Sequence, residues 1–234
     1  MRRVRSFIRP ASLMHRENLG GPSAGVFVLT AGVVAASAVG FYAPYLSRLP
    51  RFEGSGWQVH LHFLTVCAWL GMLCVQAWLG RARRYAAHGR LGRWSYLLVP
   101  LVVLSFVLVT DFGQRRQKQP DLVGAAFFDG SLYLACYLLA MISRRNRSYH
   151  SRYMMLTAVA LMNAPLGRAV SPQFSVTLQV VLILGLLAAA RIRGHAWQPY
   201  AVAAAVYVCL LAAVLSATVL YPQVMAKLWM AFWG

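Results

Sequence analysis

Acidic residues are scarce in this chain: 5 Asp and Glu stand against 23 Lys and Arg, leaving a net charge of +18 over 234 residues. Charge of either sign is thin as well. Only 12% of residues are charged, about half the share in a soluble globular domain, while 59% are apolar. Those proportions exclude an ordinary soluble domain, and the wealth of Leu, Val, Ala and aromatics excludes a disordered chain. Cysteine is sparse too. Cys67, Cys74, Cys136 and Cys209 lie in apolar stretches without C-x-x-C spacing, so they read as small buried hydrophobes and offer no disulfide framework. The patterns GxSxG, HExxH, Walker and GxGxxG are missing, which leaves hydrolase, zincin and nucleotide-binding readings without support. A nucleic acid partner is excluded by where the arginines fall, in short clusters between long apolar runs. What fits is an all-α polytopic membrane protein.

Crossing ~30 Å of hydrocarbon takes about 20 apolar residues. Seven runs approach that length: Ala24–Tyr42, Trp57–Gly80, Trp94–Thr110, Leu122–Ser143, Tyr153–Gly167, Phe174–Ala190 and Tyr200–Leu220. None alternates with period two, so all are read as helices of a seven-helix transmembrane bundle. The fifth run is the shortest and contains Asn163 and Pro165. It is either a helix that begins near His150 or one that breaks before the outer surface. The chain then divides into an N-terminal segment, 1–23, a membrane domain, 24–220, and a short C-terminal segment, 221–234. Sixteen of the 23 Lys and Arg fall in the N-terminus and the three loops on its side. The positive-inside rule therefore places the N-terminus in the cytoplasm and the C-terminus outside, as expected for a bacterial inner-membrane protein.

Gly32, Ala36 and Gly40 form a small-residue stripe in the first span, and Ala205, Cys209, Ala213 and Ala217 form another in the seventh. Such stripes let helix backbones approach closely, here within the chain. Trp57, Trp94, Trp197, Tyr200, Trp229 and Trp233 sit near span ends, as belt aromatics do. The inner loops repeat a pattern of arginines followed by one histidine: Arg81 to His88, Arg144 to His150 and Arg191 to His195. The first two also share an Arg two places after the His, at Arg90 and Arg152, which reads as a weak hairpin repeat offset by 62 residues.

Six histidines sort by position. His15 and His195 belong to solvated segments, His60 and His62 open the second span on the outer side, and His88 and His150 lie at the inner edge. The second span is about 36 Å long, so the outer and inner pairs cannot share one metal. The outer set adds Asp111 and Asp129 to His60 and His62. Histidine with carboxylate suits a transition metal or a proton relay, and the competing reading is a structural hydrogen-bonded pair. Residues two apart on a helix point about 200° apart, so only one of His60 and His62 can face the bundle. The inner pair could take both axial positions of a haem b, with Arg90 and Arg152 meeting the propionates. Its competing reading is a basic face that holds anionic lipid headgroups. Gln76, Asn163 and Gln179 are isolated amides within spans, for which interhelical hydrogen bonds are the expected use.

The succession His60-x-His62, Trp69, Gln76, RYAAHGRLG, Phe128-Asp129 and His150-Ser-Arg-Tyr-Met-Met-Leu resembles an uncharacterised family of bacterial multi-pass membrane proteins. That family carries an HxH, a following W and Q, an H-R-x-L-G loop and an H-K-R-L-M-L helix start. The resemblance covers about residues 41–168 and departs from the pattern at Gly89 and Ser151, where the family has Arg and Lys. It implies the multi-pass architecture and marks His60, His62, His88, Asp129 and His150 as motif positions, without implying an activity. The histidine-led helix starts also resemble those of small membrane proteins that assist cytochrome oxidase assembly. The function expected is a haem- or metal-binding protein with a redox or oxidase-assembly role. The alternatives are a non-catalytic scaffold, which binds anionic lipid or other membrane subunits, and a transporter.

Overall fold

The computed structural model describes residues 22–117 and 121–220, together with Gln223 and Lys227. The proposed end segments 1–23 and 221–234, with His15, Trp229 and Trp233, lie almost wholly outside the described residues. Among the described residues the chain is helical and holds no strand. We number the α-helices α1 (Pro22–Gly40), α2 (Trp57–Arg81), α3 (Tyr85–Arg93), α4 (Ser95–Gln117), α5 (Asp121–Ile142), α6 (Arg147–Ala160), α7 (Asn163–Ala169), α8 (Pro172–Ile192) and α9 (Gln198–Leu220). Five of them, α2, α4, α5, α8 and α9, contain stretches long and apolar enough to cross a membrane, and α1 adds a shorter apolar helix at Gly25–Gly40. Large apolar side chains face outward along these helices, among them Leu64, Val181 and Val208. That outward face suits lipid rather than water.

The expected runs become helices with ends shifted by a few residues, and one helix was not foreseen. The nine-residue α3 fills what reads as a loop, and it carries His88 and Arg90. Its polar sequence, YAAHGRLGR, bridges α2 and α4 along one rim of the bundle. The same rim gathers the exposed Arg83, Arg84, Arg144, Arg145, Arg191 and Arg193, so it is named the arginine-rich rim.

The fifth run is both of the alternatives the sequence allowed. It begins early, at Arg147, where the Asn146 side chain caps α6 by accepting from the Ser148 and Tyr149 amides at 3.1 and 3.2 Å. It then breaks at Leu161–Met162. Pro165 explains the break: it has no N–H to bond the Leu161 carbonyl four residues back, and its ring crowds that carbonyl, whereas a Pro in the first turn of α7 is tolerated. The Leu161 and Met162 amides instead close tight turns onto Ala158 and Val159.

Helix α6 is the axis of the molecule. It packs against α1, α2, α5 and α9, and every residue from Met155 to Met162 is buried. Trp69, fully buried on α2, reaches it with an indole N–H that donates to Thr157 Oγ1 at 3.1 Å, while its ring meets Tyr133 and Tyr137 edge-on. The small-residue stripes behave differently from the expectation. At Gly40 an added Cβ would stand 2.1 Å from the Pro165 carbonyl oxygen, so α1 and α7 touch backbone to backbone there. Gly32 has nothing within 4 Å of such an atom. In α9, Ala205, Cys209 and Ala213 are exposed and Ala217 is partly covered, so among the described residues most of that stripe is left open. Among the cysteines only Cys136 is buried; Cys74 is partly covered, and Cys67 and Cys209 face outward, where lipid would suit a thiol as well as a protein core does. Tyr200 is buried beside Arg152 rather than standing in an aromatic belt, while Trp57 and Trp94 are exposed at helix ends as expected.

Candidate functional site

The four residues grouped as a metal set at the rim opposite the arginines do not converge. His60 turns toward the connection between α1 and α2, where its Nδ1 shares a 2.7 Å hydrogen bond with the Tyr45 hydroxyl amid the rings of Phe52 and Phe63. His62, two residues on, faces α4: its Nδ1 bonds Ser105 Oγ at 3.0 Å and its ring lies edge-on to Phe106. The 200° between them sends one histidine to the loop and the other into the bundle. Asp129 accepts instead from Asn163 Nδ2 at 3.0 Å, and Asp111 is half-buried at the end of the apolar stretch of α4. Among the described residues no three His, Cys, Asp or Glu side chains stand close enough to hold a metal ion.

The pair at the arginine-rich rim does converge. His88 and His150 each occupy the fourth position of their helix, α3 and α6, so the hairpin repeat seen in the sequence is repeated in register. Their ring centroids are 6.3 Å apart with the planes at 74°. Each ring hangs on the end of the helix before it. His88 Nδ1 lies 3.3 Å from the Gln76 carbonyl, and His150 Nδ1 lies 2.9 Å from the Ala140 carbonyl. A carbonyl only accepts, so both Nδ1 atoms carry the proton, and in the neutral rings each Nε2 keeps its lone pair. Gln76 completes the first clip by donating its amide N–H to the His88 carbonyl at 3.0 Å. His150, in the first turn of α6 ahead of the apolar run, is pulled below its ordinary pKa of 6.5 by burial, with the Ala140 bond opposing and the His88 ring adding to the fall. The neutral form is the one that can ligate.

The arginines beside the pair differ. Arg90 is exposed on α3. Arg152 is 8% exposed: its Nη1 donates to the Ser148 carbonyl at 2.8 Å and to the Ser148 hydroxyl, and its guanidinium lies 6.0 Å from the Tyr200 ring. It is held within the protein, which does not suit the anion-binding role it shares with Arg90 in the sequence pattern. Arg147 is tied across the repeat, 4.4 Å over the Tyr85 ring and donating to its hydroxyl at 3.3 Å.

A second polar assembly surrounds the break between α6 and α7. Asn163 donates to Asp129 and accepts from the Ser175 hydroxyl. One turn along α8, Gln179 donates to the Val159 carbonyl at 2.9 Å and accepts from Tyr207 at 3.2 Å. All three span amides therefore make the interhelical bonds expected of them. Ser175 and Tyr207 were not singled out in the sequence; Ser and Tyr in apolar runs carry no signal until the helix that breaks opposite them is known. Compared with protein-family models, with curated proteins and with solved structures, the chain matches none of them.

Proposed function

We propose that the chain is a multi-pass protein of the bacterial cytoplasmic membrane that holds a metal, either a transition-metal ion or haem iron, between His88 and His150. Its role is then in redox chemistry or oxidase assembly. The observation that supports this best is the pair itself. Two metal–nitrogen bonds of about 2 Å, with two imidazole radii, come to about 6 Å from centroid to centroid, which matches the separation of these rings. Each ring is also set by a backbone carbonyl on its far nitrogen, the support that metal-ligating histidines usually have. For haem, His88 and His150 would hold the iron, and because Arg152 is committed to Ser148 and Tyr200, Arg90 would be left to meet the propionates. When bound, the metal would supply electron transfer; the chain supplies the neutral imidazoles and the clips that aim them.

Seven crossings with the N-terminus inside are part of the same proposal. The five long apolar helices, α1, and α6 with α7 taken as one broken crossing make seven. The loops at the arginine-rich rim then face the cytoplasm.

Detergent-purified protein should carry a Soret band or about one metal ion per chain by elemental analysis, and His88→Ala or His150→Ala should remove it. Protein without either would overturn the proposal. The pH dependence has a set sign. The folded state lowers the His150 pKa, so the neutral ring's contribution is full above 6.5 and is lost as pH falls through the lowered value. Metal occupancy, followed by dialysis across pH 7 to 5, should fall on the acid side and hold on the neutral side.

A basic-face reading has one observation of its own: the rim arginines outside the pair are exposed and free of carboxylate partners among the described residues, whose one ion pair is Arg51–Glu53. Anionic lipid suits that face at about 1 kcal/mol per basic residue. Neutralising Arg144 and Arg145 together should weaken binding to phosphatidylglycerol vesicles and leave metal content unchanged.

A further inference from the structure

The polar assembly at the helix break lies on the far side of the bundle from the histidine pair and has no part in it. Asp129 is 4% exposed in a bundle whose outer face is apolar, and no Lys or Arg of the described residues pairs with it within 4 Å. A carboxylate in that position is expensive when charged, and ionisable groups inside membrane bundles usually carry protons or ions. The backbone beside it is interrupted at Leu161–Met162, and non-helical backbone at such depth is tolerated where protein or a watered cavity receives it.

Two observations narrow the ligand. Asn163 turns its amide N–H, not its oxygen, to the carboxylate, and its oxygen is taken by Ser175. A metal cation needs several converging oxygens, and this arrangement denies them; a proton needs one. The second observation lies one turn along α5. Tyr133 is fully buried and its hydroxyl has no hydrogen-bond partner among the described residues. A further turn along, Tyr137 shares a 2.9 Å hydrogen bond with Ser95 Oγ, which donates to the Gly92 carbonyl near the arginine-rich rim. Asp129, Tyr133 and Tyr137 follow at spacing four, so they share one face of α5 and rise along it in steps of about 6 Å.

We propose that Asp129 takes up and releases a proton, and that the Tyr133 and Tyr137 hydroxyls relay it along α5 between the helix break and the arginine-rich rim. The carboxyl O–H bond breaks as a bridging water accepts the proton, and each hydroxyl accepts on a lone pair while its own proton leaves toward the next acceptor. The proton leaves Tyr137 to water at the arginine-rich rim; after the hydroxyls rotate back the tyrosines are as they began, and Asp129, left a carboxylate, regains its proton from water at the helix break. Arg168 on α7 and Tyr207 on α9 are the charged and titratable groups in electrostatic range of Asp129. His62 on α2 feels the same guanidinium. Helices α4 and α6 contribute Phe106 and the uncharged run 156–160.

Purified full-length protein in sealed phosphatidylcholine vesicles, loaded with potassium and a pH-sensitive dye, tests the relay when an acid pulse is applied with valinomycin present. Vesicles with the protein should acidify about tenfold faster than empty ones, and Asp129→Asn and Tyr133→Phe should each return them to the empty rate. Tyr133→Phe decides the matter even where Asp129→Asn fails to fold. It deletes a hydroxyl that bonds no described residue, so a purely structural residue would leave flux unchanged and the protein at least as stable. Wild-type vesicles no faster than empty ones, or a Tyr133→Phe variant that conducts like wild type, would overturn the proposal.

Discussion

Gly40→Ala should unseat α1 from α7 and lower the detergent melting temperature by more than Ala at any other described glycine of the membrane helices. The added Cβ would stand 2.1 Å from the Pro165 carbonyl oxygen and 2.7 Å from its carbon, distances that no rotamer relieves because the obstacle is backbone. The helices must part, and overpacking of a closed seam typically costs about 1–3 kcal/mol. In lipid the loss is pure packing, since acyl chains offer no hydrophobic drive to close the gap again. Gly32→Ala is the matched control. It lies on the same stripe with open space around it, so the better helix propensity of Ala should leave stability unchanged or raise it by up to about 1 kcal/mol. Equal melting temperatures for the two variants would refute the seam.

Trp69→Ala should be the most damaging truncation of a side chain. The ring is fully buried between α2, α5 and α6, edge-on to Tyr133 and Tyr137, and Trp to Ala in such a site costs about 3–5 kcal/mol. Part of the effect is polar and can be separated. Trp69→Phe keeps most of the ring and frees Thr157, whose hydroxyl still donates to the Met154 carbonyl, so its loss should be well under that of Ala. Thr157→Val does the reverse and orphans a buried indole N–H, at about 1–3 kcal/mol. Thermal unfolding in one detergent across the three variants gives the order Ala, then Val, then Phe; a Val variant as stable as wild type would show that the indole bond contributes nothing.

The long helices were legible because each must meet lipid, and a lipid-facing helix advertises itself as about 20 apolar residues. The central helix was hard to read for the opposite reason. Residues 155–162 meet protein on every side, so that stretch tolerates Thr157 and a break at Pro165, and its length need not match the bilayer. Helix α3 was missed because a nine-residue stretch with few apolar side chains, set among arginines, looks like a loop until α2 and α4 hold it. At the sites, the pairing of His88 with His150 followed from their matched places in a repeat, a local signal that survives folding. The grouping of His60, His62, Asp111 and Asp129 rested on depth alone. Depth fixes one coordinate of a side chain and leaves its azimuth open, so His60 went to Tyr45, His62 to Ser105 and Asp129 to Asn163.

The burial of α6 also bears on how the chain is made. A short segment that carries Arg152 and stops at a proline has little to gain from leaving the translocon alone. Its partners on the N-terminal side, α1, α2 and α5, are synthesised before it, and α9 is synthesised after it. The nascent protein must therefore shelter its own axis until the ribosome has finished the last helix, and a chain arrested after Ala169 would leave that axis open along the side α9 covers.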